Sequence, residues 1–265
     1  MTQGTSKPYV IDDEDEPKRL EKQARIAGLE DYFHKFPLAP NADVLDAGCG
    51  SGAMTRLFAK RVPEGHATGI DINRRYLAFA EQVAAESGIE NITFRYGNIF
   101  SLPFDDNTFD VVWCKYVLQW VNEPIQAVAE FKRVTRPGGL VVCCHFDGLT
   151  HYPVDETWQA DADKFINDCI DALVGRKMYW MFHQVGFVDI TVDAEPDPIY
   201  SVYGAIDEDL RENWGTQLRV GLPVLVKSLG SEERAHEFVH RFLAYQDRED
   251  TSSICMLFFV SGRVP

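Results

Sequence analysis

VLDAGCGSG, residues 44–52, sets three glycines at alternate positions directly after a short apolar run. Gly48, Gly50 and Gly52 bare the backbone where a strand would end and a helix begin, as a tight turn with N–H groups aimed at a ligand requires. The run is one of several. Apolar stretches at 43–46, 66–71, 92–96, 109–114 and 139–146 alternate with helical patterns at 52–61, 74–87 and 124–135. Strand, helix, strand at this spacing predicts parallel strands joined by crossover helices, hence an α/β chain with an open, doubly wound sheet. Ligands of such sheets bind beyond the carboxyl ends of the strands, and the glycine run stands at one of those ends.

Outward from this centre the pattern changes. Residues 14–36 read as one amphipathic helix: acids gather at its start, Pro17 suits a first turn, and Leu20, Ala24, Ala27 and Tyr32 share a face, with Gly28 as a point of fracture. After Asp147, helices are expected over 155–173 and 175–185 and a strand over 187–192. Two further helical patterns, 207–229 and 231–247, precede a last strand, CMLFFVSGRV, at 255–264. The expected organisation is a leader and helix (1–36) over the ligand, a sheet domain (37–194 and 251–265) and a helical cap (195–250).

Forty-one acidic residues against 26 basic ones give a net charge of −15, which repels phosphate backbones and anionic membrane surfaces. Neither nucleic acid nor membrane is expected as a partner. The six cysteines form no C-x-x-C pair, and Cys143 and Cys144 are adjacent within an apolar run, so reduced buried thiols in a cytoplasmic protein are expected. No metal is expected: His236 and His240 flank Glu237 without a third ligand at a recognisable spacing.

Gly48, Gly50 and Ala53 satisfy the G-x-G-x-x-G/A pattern of dinucleotide sites, and Asp71 stands where an acid binds ribose hydroxyls. NAD or NADP is thus one reading. Asp46 favours another, because a pyrophosphate gains nothing from a carboxylate beside its turn, whereas a ligand carrying an ammonium and a sulfonium is attracted by it. S-adenosylmethionine has both.

The ordered segments VLDAGCGSG, ATGIDIN, FRYGNIFSLPFDDNTFDVVWCKYVLQWVNEP and FKRVTRPGGLVVC together resemble the class I S-adenosylmethionine-dependent methyltransferases over about residues 40–146. The likeness is strongest to their small-molecule branch, which includes ubiquinone and menaquinone biosynthesis enzymes and natural-product methyltransferases. It implies a Rossmann-like, seven-stranded sheet whose last strand, CMLFFVSGRV, is antiparallel. It also implies that Asp46, Gly48 and Gly50, with Cys49 between them, line the methionine part of the cofactor. Asp71 would bind the ribose with Ile72 beside the adenine, Asn98 and Ile99 would hold the adenine ring, and Lys115 and Tyr116 would pass under the methionine. The leader resembles one that closes over the cofactor in a subset of these enzymes, which brings in Tyr9, Arg19 and Gln23.

The implied activity is methyl transfer to the O, N, C or S atom of a small molecule, in secondary or cofactor metabolism. Such transfer is an in-line displacement with a good leaving group, so alignment and exclusion of water supply much of the acceleration and no fixed base is demanded. His145 and Asp147, ending the fifth strand, are the candidate catalytic groups. Gln119, Trp120, Tyr152 and Trp214 are candidates for holding the acceptor. Assembly into a homo-oligomer is left open. The rivals are a non-methylating enzyme or binding protein on the same scaffold, and a methyltransferase acting on protein or nucleic acid.

Overall fold

The computed structural model describes residues 11 and 13–265. The first helix, α1 (Glu16–Ile26), begins with Pro in its first turn and an acid near its positive end. It does not run to residue 36. Gly28 takes the left-handed conformation (φ 59°), and a 3-10 helix, Leu29–Lys35, follows at a new angle.

β1 (Asp43–Ala47), α2 (Ala53–Arg61), β2 (His66–Asp71), α3 (Arg74–Glu86), β3 (Ile92–Tyr96), β4 (Phe109–Lys115) and α4 (Pro124–Val134) alternate as expected. β5 (Thr135–Tyr152) is much longer than its apolar core of 139–146. After it come α5 (Glu156–Cys169), α6 (Val174–Val185), β6 (Val188–Pro196), the two-residue β7 (Val202–Tyr203), α7 (Glu208–Val220), α8 (Leu222–Leu229), α9 (Glu232–Gln246) and β8 (Ser252–Arg263). The pattern across 207–229 divides at Gly221 because Pro223 lacks the N–H that would continue α7.

The sheet runs β3-β2-β1-β4-β5-β8-β6, with β7 pairing on β8. β1 to β5 are parallel, and β8 is antiparallel to both neighbours. Successive residues of the central strands enter opposite cores. Leu45, Val112, Cys114, Val141 and Cys143 pack toward α4 and α6, while Val44, Val111, Trp113, Val142 and Cys144 pack toward α2 and the 3-10 helix. This two-sided burial explains the nearly unbroken apolar runs of the parallel strands. All six cysteines are free and buried.

A third core binds the helices above the sheet. Trp158 and Ala162 of α5 pack with Leu225 and Leu229 of α8 and Ala235, Phe238 and Tyr245 of α9. Among the described residues no helix is long and apolar enough to cross a membrane.

Candidate functional site

A cavity of about 880 Å³ lies over the carboxyl ends of β1, β2, β3 and β4 and continues beneath α5, α7, α8 and α9. Its sheet end is built from the glycine turn. Gly48 N–H and Cys49 N–H both donate to the Ile70 carbonyl (2.8 and 3.0 Å), which folds the turn against β2. Gly48 has φ 81°, and a Cβ there would overlap the Val117 side chain. Only glycine fits both the angle and the space.

Asp71 braces the turn from the end of β2. Its Oδ2 accepts from Gly50 N–H at 2.9 Å and its Oδ1 from Asn73 N–H at 2.8 Å. Each oxygen keeps a lone pair for a hydroxyl donor, and Ile72 beside it lies 45% exposed on the cavity wall. Asn98 and Ile99 line the same end, with Asn98 Oδ1 accepting from Phe100 N–H at 3.0 Å. Asp46 is buried at the end of β1 and accepts from Thr55 Oγ1 at 2.6 Å. Burial pushes its carboxyl up to about 7, only partly offset by the Thr55 hydrogen bond. An enclosed acid poised in this way gains most from a cationic ligand.

β4 ends on Lys115, and Tyr116 after it takes a left-handed backbone conformation (φ 57°) without being glycine. A residue held there needs compensating contacts. The Tyr116 hydroxyl donates to Asp197 Oδ2, and Asp197 also accepts from Ile199 N–H (2.8 Å) and Tyr200 N–H (3.1 Å). The Lys115 ammonium sits 3.5 Å from the Tyr116 ring centroid. Burial lowers the Lys115 pKa, opposed by Cys144, Asp197 and Asp46. Asp197 escaped the sequence reading. Its only local mark is an Asp-Pro step after an alternating stretch, and its partner lies 81 positions away.

α1 covers this end. A Cβ added to Gly50 would stand 3.1 Å from Leu20 Cδ1, and Glu21 of α1 pairs with Arg56 of α2 at 2.6 Å. Arg19 and Gln23 reach the wall, but the guanidinium is engaged by Glu16 (2.7 Å) and Gln23 Oε1 (2.5 Å). Tyr9 lies outside the described residues.

The cap end is apolar, walled by Phe165, Ile166, Leu218, Val224, Leu225, Phe238 and Phe242. Helical spacing in α5, α8 and α9 marks these as buried positions; which of them face a ligand has no local signal. β5 and β8 run on past the end of β4 as a paired ribbon, edged on the β8 side by β6 and then β7, that carries Leu149, His151 and Cys255 onto the wall.

A bulge between Asp147 and Leu149, where Gly148 has φ 68°, inserts one residue into this ribbon. Before it, Cys144 and Phe146 face the Tyr116 side; after it, Leu149 and His151 do. His151 is therefore 8% exposed, with Nδ1 2.8 Å from Ser253 Oγ, while Tyr152 is turned outward at 74% exposed. An unbroken alternation would instead have set Tyr152 on the wall.

Three other expected residues stand off the wall. His145 is wholly buried behind it, its Nδ1 3.1 Å from Gln119 Oε1, and burial pushes its pKa down to about 3. Asp147 faces α6, where it accepts from Arg176 N–H (2.6 Å) and Nε (2.7 Å). An acid already holding a helix terminus and a guanidinium is not placed to serve an acceptor. Trp214 is buried behind the cavity, stacked on Tyr200 at 6.2 Å, so Tyr200 presents the surface that the tryptophan supports. Gln119 and Trp120 both line the cavity where its two ends meet.

Comparison with known proteins is consistent with this geometry. An uncharacterized methyltransferase of Schizosaccharomyces pombe is 42% identical over 113 residues, 40% of this chain and 41% of that protein. A demethylmenaquinone methyltransferase of Anoxybacillus flavithermus is 35% identical over 119 residues, 44% of this chain and 50% of that one. The chain thus spans half or less of the length of these relatives. The [4+2]-cyclase SpnF has the same fold, with TM-score 0.63 at 20% identity over 92% of this chain and 83% of that one. So does phosphoethanolamine N-methyltransferase 2 of Haemonchus contortus, solved with S-adenosylhomocysteine, with TM-score 0.57 at 16% identity over 94% of this chain and 52% of that one. The profile of a methyltransferase domain family matches residues 38–186, from just before the glycine turn to the end of α6. That match covers more than half of the chain, including the glycine turn and the carboxyl ends of β1 to β4, so the chain belongs to the class I S-adenosylmethionine-dependent methyltransferases.

Proposed function

We propose that the chain transfers a methyl group from S-adenosylmethionine to a small, mainly apolar molecule. The observation that carries this reading is the continuity of one cavity, from a glycine turn flanked by Asp46 and Asp71 to an apolar chamber under the helices. The residues present fit the cofactor: an enclosed acid for the ammonium, a turn that no side chain fills, and Asp71 with lone pairs left for ribose hydroxyls. Asn98 and Ile99 would hold the adenine. When bound, the cofactor supplies a methyl carbon made electrophilic by its sulfonium.

The protein's own part is positioning. α1 closes the sheet end, while 195–250 together with α5 closes the cap end, so water is excluded while the two reactants are held together. No side chain is assigned as a base. The relatives named as demethylmenaquinone methyltransferases support a small-molecule acceptor in cofactor or secondary metabolism. The net charge of −15 weighs against nucleic acid and anionic membranes, and a cytoplasmic location accords with the free cysteines.

The test is calorimetric titration with S-adenosylhomocysteine and with NAD, followed by assay of S-adenosylhomocysteine release against a panel of apolar acceptors and a peptide control. Binding of the first ligand alone and turnover on a panel member are expected. Tight NAD binding would overturn the cofactor, turnover on peptide alone the acceptor class, and binding without release under any condition the transfer itself.

A further inference from the structure

Gln119 is 2% exposed, yet it belongs to the cavity wall where the sheet end passes into the apolar chamber. Its carbonyl accepts from Asp171 N–H at 2.8 Å, which ties it to the α5–α6 connection whose Ile170 and Ala172 line the chamber. Its side-chain Oε1 lies 3.1 Å from His145 Nδ1. Among the described residues no group accepts from its Nε2, and that nitrogen is not one of the enclosed polar atoms left without a partner, so it opens onto the cavity.

The buried histidine decides which way the amide faces. His145 Nε2 is enclosed with no partner among the described residues. An unpartnered ring N–H in that place costs more than an unpartnered lone pair, since orphaned donors are the rarer and more expensive case. The ring proton therefore belongs on Nδ1, where it donates to Gln119 Oε1. The reverse amide orientation would set N–H against N–H. With Oε1 committed, the Gln119 NH2 group presents its donors to the ligand.

We propose that Gln119 reads a carbonyl-type oxygen, as ketone or enolate, on an otherwise apolar methyl acceptor, and that His145 is a positioning residue fixing the amide for that task. This rests on the acceptor chamber of the proposed function. Lys115, the nearby cation, rests its ammonium on the Tyr116 ring, in the field of Asp197 and Asp46. The walls around Gln119 are apolar, so a ligand without an oxygen there leaves buried donors unpaired, and one with it is selected.

The test uses protein saturated with S-adenosylhomocysteine and two probes of matched shape, 2-acetylnaphthalene and 2-ethylnaphthalene, in equilibrium dialysis. The ketone should bind about tenfold more tightly, as expected for a buried hydrogen bond gained or left unmade. That preference should vanish in Gln119→Leu and shrink in His145→Phe, with S-adenosylhomocysteine binding measured in each variant as the check on folding. Nitrogen-15 spectra of the parent should show His145 protonated at Nδ1 and bare at Nε2. Equal binding of the two probes, a preference surviving in Gln119→Leu, no binding of either probe, or an Nε2–H tautomer would each overturn the proposal. A parent that fails to bind S-adenosylhomocysteine would instead overturn the cofactor reading on which it rests.

Discussion

The two ends of the cavity are made in different ways. The sheet end is backbone: three glycines, two carboxylates and N–H groups that meet within some 30 positions of chain. The cap end is side chain, drawn from β5, α5, α7, α8, α9 and β8, and its members come from more than 100 positions of chain. The first kind of surface admits one shape of ligand, because a Cβ either fits or does not. The second is adjustable, since apolar walls exchange volume at modest cost. A common donor with a variable acceptor suits that division.

The contrast breaks most sharply at Gly48. Gly48→Val should abolish S-adenosylhomocysteine binding in calorimetry, through the overlap with Val117 and the left-handed φ; binding like the parent's would remove the turn from the cofactor site. From the other side, Trp158→Ala should destabilise the fold by about 3–5 kcal/mol in denaturant titration, as large buried aromatics do. Its effect on S-adenosylhomocysteine affinity should stay within about twofold, because distant sites add independently. A large affinity loss would mean that the two ends form one cooperative unit.

Smaller effects sharpen the comparison within the sheet end. Asp71→Ala should weaken S-adenosylhomocysteine binding by about 1–3 kcal/mol, because the Gly50 and Asn73 N–H groups lose their acceptor along with the ligand's hydroxyls. Asp71→Asn should lose less. The mildest effect is titration of Asp46, whose carboxyl protonates at about 7 in the folded chain against an ordinary 3.8. Its stabilising contribution is complete below the ordinary value and is lost as pH rises through the folded one, so the ligand-free protein melts lower at pH 8 than at pH 5. Cationic ligands favour the ionised form, so S-adenosylhomocysteine should bind about tenfold more tightly at pH 8 than at pH 6. That slope should disappear in Asp46→Asn.

The same contrast explains what could be read from the chain. The glycine turn, Asp71 and the five parallel strands are written in neighbours: an apolar run, a turn residue, an acid at the next strand end. The N-terminal helix was legible up to Gly28, and the fracture there required only a left-handed angle that glycine permits. Asp197 was not legible, because its meaning comes from Tyr116, whose positive φ has no local sign in a non-glycine residue. Nor was Trp214 as a support for Tyr200, or α5 as a partner of α8 and α9, since amphipathic spacing says that a face is buried and not against what. His145 was expected as a catalytic group from its place at a strand end; in the fold it reaches the cavity only through Gln119.

The bulge at Gly148 makes the chamber's lining behave like a reading frame. Removing Leu149 with the bulge kept would exchange every wall position beyond it, turning Thr150 and Tyr152 inward and sending His151 to solvent, with no residue substituted. A search for altered acceptors by single-residue insertion and deletion at 147–149 would thus reach linings that saturation of individual codons cannot. The number of residues in the ribbon specifies this surface as much as their identity does.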